Sequence, residues 1–599
     1  MDTKTTDSGT ADQSAMPVAV AVNGPEDEVS DWLSIDWRQV EDDVRRLRQR
    51  IFTASREGDL KRVRNLQKLM LRSRANTLHG VRRVTEVNAG RETAGVDGAV
   101  VLTAPGKAEV ANWVQYRSGS WTARPVKRVY VPKPDGRRRG LGIPVILDRC
   151  LQAVVLGALE PEWEARFEPR SYGFRPGRGC HDAIESIYLT GKGPNPKRSW
   201  VLDADLAAAF DRIDHDHLLA ELGTFPAREL VAQWLQAGVV EDGRFTPTGE
   251  GTPQGGVISP ALLNVALHGM EQAAGVRYRT TGHNAGSAMR GSPIVVRYAD
   301  DLVAMCHSRE QAEQVKERLT GWLAPRGLAF NEEKTRIVRL EEGFDFLGFN
   351  IRMYRNRKLL IKPSKAAVKR IRKRLAAEVL ALRGSNAEAV IAKLNPIIRG
   401  WAAYYRIGVS SAVFNSLDTY MWRLTYKWAK SAHQNKSRDW VIHRYYGAHN
   451  PYRPGDRWVF GDRECGRYLR RFLWTKIVRH QLVKLGASPD DPALTEYWTR
   501  RRRKTVIPLL DKTGWHLLQR QNGACPACGA LLLHADHPPT SPTEWEQWLR
   551  ATRKAITRKA IVHAGPGTPN EPPALLLHAH CRRRLVVGSG TALLPAREP

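Results

Sequence analysis

Cysteine is scarce, with seven in 599 residues. That number, widely scattered, excludes a disulfide scaffold and fits a reducing compartment. No run approaches the roughly 18 apolar residues of a membrane span. No basic segment followed by an apolar one opens the chain. A membrane partner and export are therefore not expected. Acidic charge is the third shortage: 62 Asp and Glu face 93 Lys and Arg, a formal charge of +31. Such an excess repels itself unless a polyanion shares the surface, so nucleic acid is the expected partner. The chain nevertheless folds, because 42% of it is hydrophobic and it carries 18 Trp. Its length predicts about three to five structural units.

Residues 1–30 hold one Lys against six acidic residues and read as a flexible acidic leader. Val40, Val44, Leu47 and Ile51, then Leu60, Val63, Leu66 and Leu69, recur at helical spacing with cations between them. They predict a basic helical extension over 31–110. A strand is expected from Val126 to Val131, ending at Pro132, and strands alternate with helices to about residue 350. Residues 364–450 read as mostly helical, basic and aromatic. The run Arg500 to Lys504 marks a basic segment over 451–515, and a last unit covers 516–599.

The strongest chemical signal is Tyr298-Ala299-Asp300-Asp301 between the apolar runs Ile294-Val295-Val296 and Leu302-Val303-Ala304. Two carboxylates at the tip of a buried hairpin are costly unless a cation neutralises them. A second apolar strand, Trp200 to Leu202, leads to Asp205. If the sheet sets Asp205 beside Asp300 and Asp301, the three can hold two Mg²⁺ ions that activate a 3′-hydroxyl and stabilise a leaving pyrophosphate. A plain surface turn is the competing reading of the Asp pair. Capping or salt bridging is favoured for Asp203, Asp211 and Asp214.

Further segments carry a resemblance. Thr93-Ala94-Gly95-Val96-Asp97-Gly98 comes first, then Arg128-Val129-Tyr130-Val131-Pro132-Lys133 through Arg139-Gly140-Leu141-Gly142-Ile143-Pro144. Tyr172-Gly173-Phe174-Arg175-Pro176-Gly177-Arg178 precedes the Asp205 strand, and Thr252-Pro253-Gln254-Gly255-Gly256 precedes the Asp300 hairpin. Gly327-Leu328, Asn331, Lys334-Thr335 and Phe346-Leu347-Gly348-Phe349 follow. In this order the segments resemble a bacterial group II intron-encoded reverse transcriptase and maturase with a C-terminal HNH-like endonuclease domain. The resemblance implies an α+β multi-domain chain: right-hand polymerase fingers and palm over 111–350, a helical thumb and maturase domain over 351–450, a DNA-binding segment over 451–515 and a small zinc-ribbon, HNH-like tail. Asp205, Asp300 and Asp301 would be the Mg²⁺-binding catalytic set. Lys133 and Arg139 would meet nucleotide phosphates, Phe210 would exclude a 2′-hydroxyl, and Gln254 would contact the nucleotide. Gly140 stands where the family usually has Pro.

Cations and rings interleave at Arg399-Gly400-Trp401-Ala402-Ala403-Tyr404-Tyr405-Arg406. Such a surface suits structured RNA, with phosphates neutralised and bases stacked, while the rings alone read as helix-packing core. The family thumb implies RNA binding through Arg399, Trp401, Tyr404, Tyr405 and Arg406. Near the end, Cys525 and Cys528 pair with His578 and Cys581 as a Cys₃His zinc set. Asp536-His537 resembles the first element of an HNH nuclease. The match departs at Arg582, where the family has a metal-binding His, and at Pro573, near the family's Asn, so DNA nicking stays an open question. The implied function is binding intron RNA, assisting its splicing and copying it from dNTPs into target DNA, in a bacterial cytoplasm at the nucleoid. Two other readings remain: a splicing maturase without polymerase activity, and a domesticated host-defence reverse transcriptase.

Overall fold

The computed structural model describes residue 29 and residues 31–88, 90–132, 138–281, 286–504, 512–527, 529, 532, 539, 541–557, 561–564, 575–578 and 581–582. The amphipathic pattern near the start forms α1 (Trp37–Arg56), α2 (Leu60–Arg72) and α3 (Arg74–Arg82), and α4 (Ala104–Tyr116) follows. Asp36, Asp59 and Ser73 cap the first three by accepting bonds from backbone N–H groups of the first turn. Their buried stripes, Val40, Val44 and Ile51 on α1 and Val63, Leu66 and Met70 on α2, share one core with a longer, largely buried helix, α5 (Ile146–Arg166).

Between α4 and α5 lies a hairpin, β1 (Val126–Pro132) and β2 (Arg138–Ile143), with Val131 opposite Arg139. The chain continues through α6 (Cys180–Gly191), β3 (Trp200–Asp205), α7 (Ala209–Arg212), α8 (His215–Leu222), α9 (Arg228–Gln236), β4 (Val239–Glu241) and β5 (Arg244–Thr246). The first sheet runs β2-β1-β4-β5. Next come α10 (Ser259–Ala266), α11 (Met270–Ala273), β6 (Ile294–Tyr298), β7 (Asp301–Cys306), α12 (Arg309–Leu323) and β8 (Arg336–Arg339). These strands make a second, antiparallel sheet in the order β6-β7-β3-β8.

Period-two alternation divides that sheet between two cores. Leu202, Ala204, Leu302 and Ala304 join the core shared with α5, while Val201, Val303 and Met305 join a second core with the C-terminal helices. Both faces are covered, which is why its strands read as continuous apolar runs.

A third sheet, ordered β11-β10-β9, is built from β9 (Phe344–Phe346), β10 (Phe349–Met353) and β11 (Leu359–Pro363). It straddles the boundary expected between residues 350 and 351. The second core then collects α13 (Lys365–Ala381), α14 (Ala387–Tyr405), α15 (Ser411–Ala432) and α16 (Arg438–Tyr445). A two-stranded ribbon of β12 (Tyr446–Gly447) and β13 (Val459–Phe460) precedes α17 (Thr495–Lys504), α18 (Lys512–Arg520) and α19 (Pro542–Thr557). The described chain closes with the hairpin of β14 (Ile561–Ala564) and β15 (Leu575–His578). α19 lies against α14 at Gly400, where a Cβ would meet the Glu546 backbone nitrogen at 2.6 Å. Among the described residues no helix is long and apolar enough to cross a membrane.

Candidate active site

The second sheet pairs Asp205, the last residue of β3, directly with Asp301, the first of β7. Asp300 sits beside them in the two-residue turn between β6 and β7. Tight hairpins of this length favour positive φ, and Ala299 adopts φ +57°. A non-glycine residue there is strained by about 1–3 kcal/mol, so the surroundings must hold the turn. They do so from beneath. Arg297, buried on β6, donates through Nη1 to Asn264 Oδ1 at 2.9 Å and to the Ala299 carbonyl at 3.2 Å. Asn264 Nδ2 donates to the Gly173 carbonyl at 2.9 Å. Gly173 touches the turn so closely that a Cβ would lie 2.2 Å from the Ala299 nitrogen.

Three carboxylates thus converge on one edge. Burial and the neighbouring charges of Asp300 and Asp205 push the Asp301 carboxyl up to about 7. Burial also raises Asp300, which feels Asp205 in the same direction and Arg139 in the opposite one. A donor set of hard oxygens carrying more negative charge than its surroundings neutralise fits divalent cations. The counter-charge within the chain is Lys334, whose Nζ donates to Asp205 Oδ2. That bond raises the Lys334 pKa. Asp205, Asp301 and Lys334 line a cleft of about 330 Å³ together with Glu333, Arg336 and Asp345.

Arg139 is exposed on β2, near enough for its charge to act on Asp300. Phe210 is half-buried on α7 and meets Phe174 edge to face at 6.0 Å. Gln254 Nε2 contacts Asp211 Oδ2 at 3.5 Å, and its carbonyl accepts from Gly142 N–H at 2.8 Å, tying its loop to β2. Asn331 N–H donates to the Asp205 carbonyl at 2.8 Å. Asp203 pairs with Arg336 at 3.0 Å and Asp214 caps α8. Lys133 lies outside the described residues.

Arg297 escaped the sequence reading, and Lys334 was read there as part of a motif with no role assigned to it. Arg297 interrupts an otherwise apolar strand, and a charge in such a run is the signal that would have found it. Lys334 sits 129 residues from Asp205, and no local pattern announces their ion pair.

The thumb rings require a correction. Trp401, Tyr404 and Tyr405 are 4%, 2% and 2% exposed. Phe349 packs on Tyr404 and Tyr405 at 5.3 and 4.9 Å, and Trp401 on Tyr405 at 4.3 Å. Tyr404 OH donates to the Leu347 carbonyl at 2.8 Å. Their faces are spent on the protein core and offer nothing for bases to stack on. Arg399 and Arg406, from the same segment, stay half-buried.

In the C-terminal region Cys525, His578 and Cys581 bring their ligand atoms within 4.8 Å of one another. Cys528, Asp536 and His537 lie outside the described residues.

Comparison with known families matches residues 131–351 to the reverse transcriptase (RNA-dependent DNA polymerase) domain. Residues 32–114 match the N-terminal domain of reverse transcriptase, and residues 368–446 the group II intron maturase-specific domain. Protein YkfC of Escherichia coli is 34% identical over 305 residues, covering 46% of this chain and 80% of that protein. The group II intron-encoded protein LtrA of Lactococcus lactis is 28% identical over 296 residues, 40% of this chain. That alignment spans about half of LtrA, 49% of its length. An uncharacterised 91 kDa protein in the cob intron of Schizosaccharomyces pombe is 30% identical over 40% of this chain and 35% of its own. With its carboxylate edge, its reverse transcriptase domain and its maturase-specific helices, the chain belongs to the group II intron reverse transcriptase and maturase family.

Proposed function

We propose that this protein binds a group II intron RNA, promotes its splicing and copies the RNA into DNA at a target site, with Asp205, Asp300 and Asp301 as the catalytic carboxylates. The observation that carries the reading is the register of β3 against β7, which pairs Asp205 with Asp301 and leaves Asp300 at the turn beside them. The three would hold Mg²⁺, which supplies Lewis acidity toward a primer 3′-hydroxyl and toward a leaving pyrophosphate. Arg139 and Lys133 orient the triphosphate of a dNTP. Phe210 bounds the sugar, and Gln254 fixes the nucleotide from a loop anchored on β2. Lys334 balances Asp205 and keeps the edge from repelling itself.

Cys525, Cys528, His578 and Cys581 form a structural Zn²⁺ site, supported by the three that meet in space. Residues 516–599 are an HNH-like domain by descent, with Asp536 and His537 as its nuclease remnant. Arg582 follows Cys581 where that chemistry needs a neutral imidazole, and a guanidinium cannot ligate a metal. Priming then uses a strand end already present in the target DNA. The protein works where intron RNA meets chromosomal DNA, at the bacterial nucleoid.

Primer extension on an RNA template with Mg²⁺ and dNTPs tests the central claim. Wild-type protein extends the primer and Asp300→Ala does not. A folded, RNA-binding wild type that extends nothing would leave splicing assistance as the function.

A further inference from the structure

Where α14 ends, a pocket of about 170 Å³ opens between that helix, the 470–476 segment and α19. Arg399 and Arg406 line it from α14 and its C-terminal cap, Arg470 and Lys476 from the segment. The described residues around it include no carboxylate. Trp474 and Leu549 supply apolar walls.

Two buried guanidiniums elsewhere in this chain meet acid. Arg175 pairs with Glu164 at 2.8 Å, and Arg48 with Glu160 and Asp490 at 2.7 Å. Arg406 and Arg470 in the pocket do not. Burial lowers the pKa of Arg406 with no carboxylate acting against it, and its Nε is buried without a hydrogen-bond partner. Burial likewise lowers Arg470; Arg453 adds to the effect and Tyr468 opposes it. Cations half removed from water without a counter-charge are unfavourable until an anion joins them.

The acids nearby are committed to building the pocket. Asp418 accepts from the Phe472 and Leu473 N–H groups at 2.6 and 3.0 Å, and Arg471 pairs with Asp456 at 3.2 Å. Asn395 Oδ1 accepts from Arg470 N–H at 2.7 Å, fixing the segment to α14. The cavity is thus preformed, and it is smaller than the roughly 300 Å³ at which pockets for drug-sized ligands begin.

The geometry points to a binding site for one backbone phosphodiester of a nucleic-acid strand, clamped by Arg399, Arg406, Arg470 and Lys476. Guanidinium forks match phosphate oxygens in pairs. The site rests on the nucleic-acid binding proposed above and carries it past the maturase helices, since Arg470 and Lys476 lie beyond residue 450.

The test compares the full-length protein with an Arg406→Gln, Arg470→Gln double variant. Binding of an RNA hairpin and of a DNA hairpin of equal length is measured over roughly 50 to 200 mM salt. The double variant should bind RNA about tenfold more weakly, and the slope of log K against log salt should fall by about 1 to 2. Equal losses on DNA assign the pocket to the backbone of either strand, and a loss on RNA alone assigns it to RNA. Unchanged affinity and slope on both hairpins overturn the site while leaving polymerase activity standing. A wild type that extends primers and holds neither hairpin overturns it as well. If the double variant fails to fold, the exposed Lys476→Gln carries the same slope test alone, with an expected decrease of about 1. Asp300→Ala separates the two claims, because it should abolish extension and leave the slope intact.

Discussion

Arg297 shows how much can depend on one side chain outside the reacting set. It is 2% exposed, its guanidinium bridges Asn264 and the Ala299 carbonyl, and its Nη2 is buried without a partner. One guanidinium nitrogen therefore ties the strained turn that carries Asp300 to Asn264. Arg297→Lys keeps the charge on a shorter, differently shaped head that cannot reach both oxygens in the same geometry, so about 1–3 kcal/mol of stability should go with it. Because the turn moves and not the nucleotide contacts, kcat for primer extension should fall at least tenfold while KM for dNTP changes little. Steady-state kinetics alongside a urea melt would check this, and an unaltered kcat would remove Arg297 from the positioning role. Burial also explains which residues the sequence conveyed. Three carboxylates in apolar surroundings are conspicuous in a linear chain, whereas the pairs Lys334–Asp205 and Arg336–Asp203 exist only once β3 and the strand beside it meet.

At the scale of elements, close backbone approach does the work that side chains cannot. Gly173 leans on the β6–β7 turn, and Gly327, at φ +71°, would put a Cβ 2.3 Å from the Arg212 carbonyl. Both belong to motifs read from the sequence, yet the reason for a glycine at each is a contact with a segment more than 100 residues away. Gly173→Ala drives a methyl into the Ala299 nitrogen. Overpacking of this kind costs about 1–3 kcal/mol, and here the cheapest relief is to shift the turn. Single-turnover extension should slow at least tenfold with a smaller loss in thermal stability; a large fall in stability with a normal rate would show that the strain is relieved elsewhere. The helical character of 364–450 was legible in the sequence. Whether the rings there faced RNA or protein was not, because Trp401, Tyr404 and Tyr405 share a helical stripe with Ile397, Ile398 and Ala402 while cations flank them on both sides. The sheet of β9, β10 and β11 spans the boundary drawn at 350–351, and the packing of Phe349 on Tyr404 and Tyr405 joins its two sides.

Across the whole molecule, the catalytic sheet is sandwiched between two cores, and a buried acidic cluster lies behind the hairpin that bears Asp300. Glu271, 5% exposed, accepts from the Arg170 N–H at 3.1 Å and from the Tyr278 hydroxyl, and its own N–H donates to Glu168 at 3.1 Å. Burial, then the Glu168 charge, lifts the Glu271 carboxyl to about 7 from its ordinary 4.5. The native state therefore binds a proton that the unfolded chain has released between those values, and stability must fall as pH rises through that window. At 1.36 kcal/mol per unit the upper limit is about 3 kcal/mol. Glu168, held below its usual range, is already ionised in both states over the same interval and leaves the slope unchanged. Urea midpoints of the wild type measured from about pH 5 to 8 should thus decline relative to Glu271→Gln, which cannot titrate. Since Arg170 and Tyr172 are bonded to the backbone of Arg297, loosening this cluster reaches the active-site turn, and extension by the wild type should lose heat tolerance over the same interval. Parallel pH profiles for the two proteins would mean that Glu271 stays ionised throughout and that the cluster is a passive part of the core.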